Sequence, residues 1–244
     1  MIELVDMCSL QSPATVDFEA MAKSGIRGVW FKATQYSGDV DNTMRIGVIR
    51  ARAAGLHCGV YHFCYCGRDP YAQMVHFWKN SVVDGVVVGS EPGDLPPMID
   101  WEYAERGDDG QVITELDTVK WLEAAAPACK KLWYPDNDRK PTIYTYPDFA
   151  RQHQPFLGKS NVIGDYPLTL ACYPNLLPAP KPWDRVTVHQ YIGNGGRVPG
   201  VTNDCDRDRF QGDDGEFDAF LGFPKDVTEP VSEFSGGIIH VGSY

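Results

Sequence analysis

No apolar run in the chain approaches the ~20 residues needed to cross a bilayer, so no membrane insertion is expected. Basic charge is scarce as well: 22 Lys and Arg stand against 33 Asp and Glu, a net charge of −11. Nucleic-acid binding draws most of its affinity from Lys and Arg on phosphates, so nucleic acid is not an expected partner. The first residues, Met1-Ile2-Glu3-Leu4-Val5-Asp6, have neither the basic segment nor the apolar stretch that opens a secretory signal. Internal repeats and low-complexity tracts are missing too. Cysteines number seven, an odd count in a chain long enough to do without a disulfide scaffold. Free, mostly buried thiols made in a reducing cytoplasm are therefore expected. What is abundant is core material: the 244 residues are 43% hydrophobic and 12% aromatic, which excludes a disordered chain.

Short apolar runs alternate with amphipathic stretches. Strands are predicted at 2–6, 28–34, 58–63, 98–101 and 142–145, and helices at 16–23, 42–54, 70–80 and 116–132. That rhythm implies βαβ units and a parallel sheet. Beyond Tyr146 the strands expected at 168–173 and 186–192 are joined by Pro-rich and Gly-rich connections rather than helices. The reading is an α/β fold, a βα barrel with helices missing in its last third. Residues 1–211 are assigned to the barrel. Residues 212–244 are read as an acidic C-terminal tail, not an independent domain; from Asp204 onward there are ten acidic and three basic residues.

The sharpest chemical feature is Pro97-Met98-Ile99-Asp100-Trp101-Glu102. Side chains two apart on a strand share a face, so Asp100 and Glu102 crowd together at a strand end. Two carboxyls so placed cannot both ionise cheaply, which raises one pKa and prepares a general acid. Parallel barrels carry their sites at the carboxyl ends of the strands. Asp6 ends another predicted strand, after Leu4-Val5, where a solitary charge is costly without work or a partner. Asp206 lies in the acidic run Asp204-Cys205-Asp206-Arg207-Asp208, and Lys32 could counter the negative charge from the end of the second strand. Tyr61, Trp101, Tyr103, Tyr144, Tyr173 and Tyr191 lie at or near strand ends, where ring faces could cover an apolar side of a bound ligand.

With these pieces in order, the chain resembles glycoside hydrolase family 25, the Chalaropsis-type lysozymes. The matching segments are Val5-Asp6-Met7, Phe31-Lys32-Ala33-Thr34, Ala53-Ala54-Gly55-Leu56, Gly59-Val60-Tyr61-His62-Phe63 and Pro97-Met98-Ile99-Asp100-Trp101-Glu102. Pro141-Thr142-Ile143-Tyr144-Thr145, Gln190-Tyr191 and Asp206-Arg207-Asp208-Arg209-Phe210 follow, so the resemblance covers roughly residues 2–210. It implies a TIM-like barrel of eight strands and an N-acetylmuramidase that needs no cofactor or metal. Glu102 would be the general acid. Asp100 would support positive charge or orient a reacting group, with Asp6 and Asp206 completing an acidic ring. Lys32, Tyr61, His62, Trp101, Tyr144, Tyr173 and Gln190 would contact substrate. The resemblance also implies retention of configuration, and the sequence leaves open whether a protein nucleophile or the substrate's own N-acetyl group is used. Departures occur at Ser9-Leu10-Gln11-Ser12, at Cys172, and at His189, where the family usually has tryptophan.

Three alternatives carry less. Cys58, His62, Cys64 and Cys66 share a strand face, yet neighbours about 6.6 Å apart along a strand do not converge on one zinc centre. A chitinase-type signature needs an acid where Met98 stands. A barrel that binds wall glycan without cutting it, for instance as a structural part of a virus particle, has no use for a crowded acid pair. The expected partner is therefore the glycan strand of bacterial peptidoglycan, bound by a monomer. The missing leader and free thiols point to a bacteriophage endolysin, made in the host cytoplasm and released to the wall through a holin-type opening or carried in the virion.

Overall fold

The computed structural model describes residues 1–104, 110, 112–193 and 195–224. Eight strands close into a barrel: β1 (Ile2–Met7), β2 (Ile26–Gln35), β3 (His57–Phe63), β4 (Met98–Asp100), β5 (Thr142–Thr145), β6 (Leu168–Ala171), β7 (Val188–Ile192) and β8 (Asp206–Phe210). Neighbours from β1 to β7 run parallel. β8 lies antiparallel between β7 and β1 and completes the closure.

Helices α1 (Phe18–Lys23), α2 (Met44–Ala53), α3 (Pro70–Asn80), α4 (Glu115–Trp133) and α5 (Pro147–Leu157) fill the connections from β1 to β6. α5 is not expected from the sequence. Pro155 sits inside it, a residue that reads as a helix breaker, although its buried stripe of Phe149, Ala150, His153 and Leu157 lies along one face. Between β6 and β8 no α-helix occurs among the described residues, as the reading of the last third anticipates. There the outer face of β1, β7 and β8 is closed by polar groups instead. Arg207 and Arg209 reach Glu3 at 3.0 and 2.8 Å, the Tyr191 hydroxyl donates to Glu3, and the Arg209 guanidinium lies 4.1 Å from the Tyr191 ring centre.

The tail starts with structure of its own. Asp213 and Glu216 form a capping box that opens α6 (Asp214–Phe220). Phe217 and Leu221 of this segment join Ile2, Leu4, Trp30, Leu95, Met98, Val188 and Phe210 as the apolar filling of the barrel floor. Residues 225–244 of the expected tail lie outside the described residues. The floor depends on two glycines. A Cβ at Gly59 would stand 2.5 Å from the Trp30 ring, and one at Gly28 would stand 2.9 Å from Leu95. Trp30, fully buried, fills the space left at Gly59 and donates its indole N–H to the Pro96 carbonyl at 2.8 Å.

Outward residues of the strands, including Val5, Val29, Phe31, Val60, Ile99, Ile143 and Leu168, pack beneath the helices in a second, larger core. The period-2 pleat thus divides each strand into a helix-facing row and a lumen-facing row. Along the lumen-facing row, apolar residues give way to polar ones toward the carboxyl ends: Leu4 to Asp6, Trp30 to Lys32, Met98 to Asp100, Val188 to Gln190. β8 runs in reverse and contributes Phe210 below and Asp208 and Asp206 above.

Candidate active site

The polar upper layer gathers five carboxyls: Asp6, Asp100, Glu102, Asp206 and Asp208. Asp6 and Asp206 are register partners across β1 and β8. Asp100 is 7% exposed and Asp208 1%, whereas Asp6, Glu102 and Asp206 keep partial access to solvent. The sequence-expected ring of Asp6, Asp100, Glu102 and Asp206 is therefore brought together, with Asp208 beneath it.

Burial and mutual repulsion hold protons on this cluster. Loss of water and the Asp206 carboxylate push Asp6 up to about 7, although hydrogen bonds from Gln190 and Asp208 oppose them. Burial pushes Asp206 up to about 6. Glu102 is raised by burial and then by Asp206, and Asp100 is raised well above the usual carboxylate range by burial, Glu102 and Asp6. Lys32 opposes the rise at both. Its ammonium lies 2.7 Å from Gln35 Oε1 and 5.0 Å from the centre of the Phe63 ring.

Gln190 holds Asp6 in place. Its amide nitrogen donates to Asp6 Oδ2 at 2.7 Å, while its carbonyl accepts from Tyr144 and Tyr173 at 3.1 and 2.5 Å. Gln190 is 2% exposed, so these three bonds make it a clamp on the acid ring rather than an open contact surface. Tyr61 and Tyr144 are partly buried against the barrel floor, and Tyr173 is more than half exposed.

A cleft of about 530 Å³ opens beside Glu102, lined by Tyr144, Tyr146, Arg151, Tyr173, Asn175 and Leu177. On the other side of the strand ends, Phe63, Tyr65, Tyr103 and Tyr36 form a second aromatic wall, with Tyr65 and Tyr103 ring centres 5.1 Å apart. A larger hollow of about 870 Å³ lies between α6 and the loops entering β6 and β7, at the opposite end of the barrel, and contains none of the five carboxyls.

Two expected substrate contacts are corrected. His62 points into the helix layer, where it is fully buried, bonded to Thr34 Oγ1 at 2.7 Å and Gln73 Oε1 at 3.2 Å, and stacked on Phe77. Burial presses its pKa down to about 3, so it is a neutral core histidine. Trp101 also faces outward: its indole donates to the Thr118 carbonyl of α4, and its ring packs on Phe149 and His153 of α5. The strand parity that pairs Asp100 with Glu102 sends Trp101 to the other side. Tyr191 likewise lies outside the barrel on Glu3.

Sequence reasoning missed Asp208, Gln35, Tyr146, Arg151, Asn175 and Leu177. Only Asp208 had a usable signal, since it shares a strand face with Asp206. All seven cysteines are free, six of them buried. Among the described residues, no group of three or more His, Cys, Asp or Glu side chains could hold a metal ion, and no helix is long and apolar enough to cross a membrane.

Comparison with known proteins fits this geometry. The sequence profile described as glycosyl hydrolases family 25 matches residues 5–201. An autolytic lysozyme of Clostridium acetobutylicum is 26% identical over 200 residues, covering 80% of this chain and 52% of its own length. The chain thus spans about half of that curated relative. A muramidase from Trichobolus zukalii superposes with a TM-score of 0.73 at 26% identity, covering 91% of this chain and 99% of that one. The bacterial lysozyme from Streptomyces coelicolor shares the fold with a TM-score of 0.73 at 22% identity, over 90% of this chain and 96% of that one. With the profile spanning the barrel from its first strand to the loop before its last, the chain belongs to glycosyl hydrolases family 25.

Proposed function

We propose that this chain is a muramidase that cleaves the β-1,4 bond between N-acetylmuramic acid and N-acetylglucosamine in peptidoglycan. The observation that carries the reading is the crowding of Asp100 and Glu102 at one strand end, within a carboxyl ring open to an aromatic-lined cleft. Glu102, raised by its neighbours and still reachable from the cleft, serves as the acid that protonates the leaving glycosidic oxygen. Asp6, held by Gln190, supplies negative charge toward the positive charge that develops on the sugar ring. Asp100, raised well above the usual carboxylate range by burial and by Glu102, keeps its proton and adds no second negative charge beside the acid. Lys32 limits the total charge of the ring. Tyr144, Tyr146 and Tyr173 offer ring faces and hydroxyls to the glycan.

Mass spectrometry of fragments released from purified peptidoglycan tests this directly. Fragments with reducing muramic acid ends are expected. Reducing glucosamine ends would replace the reading with a glucosaminidase, and no fragments from several wall types would replace it with a glycan-binding barrel.

A finer reading is a phage lysin acting on the wall from inside the host, supported by seven unpaired cysteines suited to synthesis in a reducing compartment. With a net charge of −11, the chain is repelled by walls rich in anionic teichoic acid. Lysis of such walls is therefore expected to speed up between low and moderate ionic strength, as the screening length shrinks to about 10 Å near 0.1 M. Rates that stay flat across that range would show that repulsion does not limit the approach.

A further inference from the structure

Asp208 has no place in the chemistry above, yet it is the most deeply buried carboxyl of the ring. It sits on β8 opposite Leu4 of β1 and Gln190 of β7, one inward position below Asp206. Its Oδ2 is sealed from solvent and receives no hydrogen bond from any donor among the described residues. The arginines on either side of it in sequence, Arg207 and Arg209, point to the opposite face and are bound to Glu3. The group nearest to it in the lumen layer is the carboxyl of Asp6, one inward position above its register partner Leu4 on the adjacent β1 and within reach of a side-chain hydrogen bond. Two carboxyls form a hydrogen bond only when one of them carries a proton. Asp6 already accepts from Gln190 at 2.7 Å, a bond that favours its anion. The proton between them therefore belongs to Asp208.

The other groups facing this pair push the same way. Asp206 on β8 and Glu3 on β1 disfavour charge on Asp208, and Glu102 of β4 adds to the negative field at Asp6. Tyr144 and Tyr173 reach the pair through Gln190, and Tyr61 of β3 faces Asp6 and Asp206. Lys32 of β2 acts on Asp100 and Glu102.

We infer that Asp208 is a positioning residue: it stays protonated at working pH and donates its hydrogen bond to Asp6, so that Asp6 carries negative charge beside the substrate. This rests on the role given to Asp6 above. Asn at position 208 keeps a donor toward Asp6 that never ionises, whereas Leu of similar size removes it.

The test compares wild type, Asp208→Asn and Asp208→Leu in two measurements. The first is the pH profile of kcat/KM on soluble peptidoglycan fragments. In Asp208→Leu the acid limb, set by ionisation of Asp6, is expected to move up by about one pH unit, with about tenfold lower activity below it. In Asp208→Asn the limb stays near its wild-type position and most of the lost turnover returns. The second measurement needs no substrate: an infrared difference spectrum of the folded proteins at pH 7. Subtracting the Asp208→Asn spectrum from that of wild type is expected to leave one carbonyl band of a protonated carboxyl, because the protonated Asp100 contributes to both proteins and cancels. No such band in the difference would overturn the inference even if the protein cut no wall polymer. An acid limb unmoved in Asp208→Leu would overturn it too, as would an Asp208→Asn variant impaired as severely as Asp208→Leu. If Asp208→Leu does not fold, the infrared comparison with Asp208→Asn decides alone.

Discussion

Replacing Glu102 by Gln is expected to lower turnover on peptidoglycan by about 10²–10⁴-fold, the usual contribution of a positioned general acid. The amide has nearly the same shape as the acid it replaces but has no proton to give to the leaving oxygen. The fold should survive, because Glu102 lies at the cleft and no hydrogen bond of the described residues depends on its carboxyl. Circular dichroism and a thermal melt establish the fold, and release of reducing ends from purified wall measures the loss. Glycan binding by the variant should persist, since the tyrosines of the cleft are untouched. Undiminished turnover in a folded variant would remove Glu102 from the mechanism.

Stability should fall as pH rises through the range in which the carboxyl ring loses its protons. Asp6, Asp100, Glu102, Asp206 and Asp208 all have folded-state pKa values above those of the unfolded chain. The folded protein therefore binds more protons than the unfolded one. The contribution of these groups is complete in acid, below the unfolded carboxylate values, and is lost as pH passes the folded values of about 6 at Asp206 and about 7 at Asp6. Glu3, held low by Tyr191 and its two arginines, works in the opposite sense at lower pH, and the buried His62 and His153, both held below the ordinary histidine value, do so up to about pH 7. The melting temperature should thus drop between about pH 7 and pH 8.5, above the histidine range, by on the order of 5 °C for a chain of this size. Asp6→Asn should flatten that decline and raise the melting temperature at pH 8 while impairing catalysis, since the site stores strain that function requires. A melting temperature that climbs between about pH 7 and pH 8.5 would show that the carboxyl ring is not proton-loaded in the folded state.

The parts of this barrel that were legible in the sequence share one property: an apolar period matching their geometry. β1 to β7 and α1 to α4 all have it. β8 does not, because Asp206 and Asp208 face the lumen while Arg207 and Arg209 face outward, leaving no apolar alternation to detect. α5 hid behind Pro155, and α6 behind its acidic first turn. The acid ring was legible through strand parity applied to Asp100 and Glu102. The same parity, applied strictly, turns Trp101 outward. His62 is sent outward as well, because its neighbour Tyr61 occupies the lumen. Asp208 stayed hidden because its meaning depends on which strand lies beside β1, a matter of long-range closure rather than local pattern. The cleft residues Tyr146, Arg151, Asn175 and Leu177 come from loops and a helix start, whose placement carries no periodic signature.

The closure of β1 against β8 also fixes when in the life of the chain its chemistry can begin. Asp6 leaves the ribosome well before the residues that complete its surroundings. Its partners Gln190, Asp206 and Asp208, and the Phe217 and Leu221 that seal the floor below it, emerge roughly two hundred residues later. Until then the early strands have an open edge, and the acids contributed by β4 have no ring to join. The pairing of the two ends has a high sequence separation, which makes closure a late and slow event in folding. A barrel built this way has no complete acid ring at any earlier point of synthesis: the step that completes the barrel is the step that completes the site.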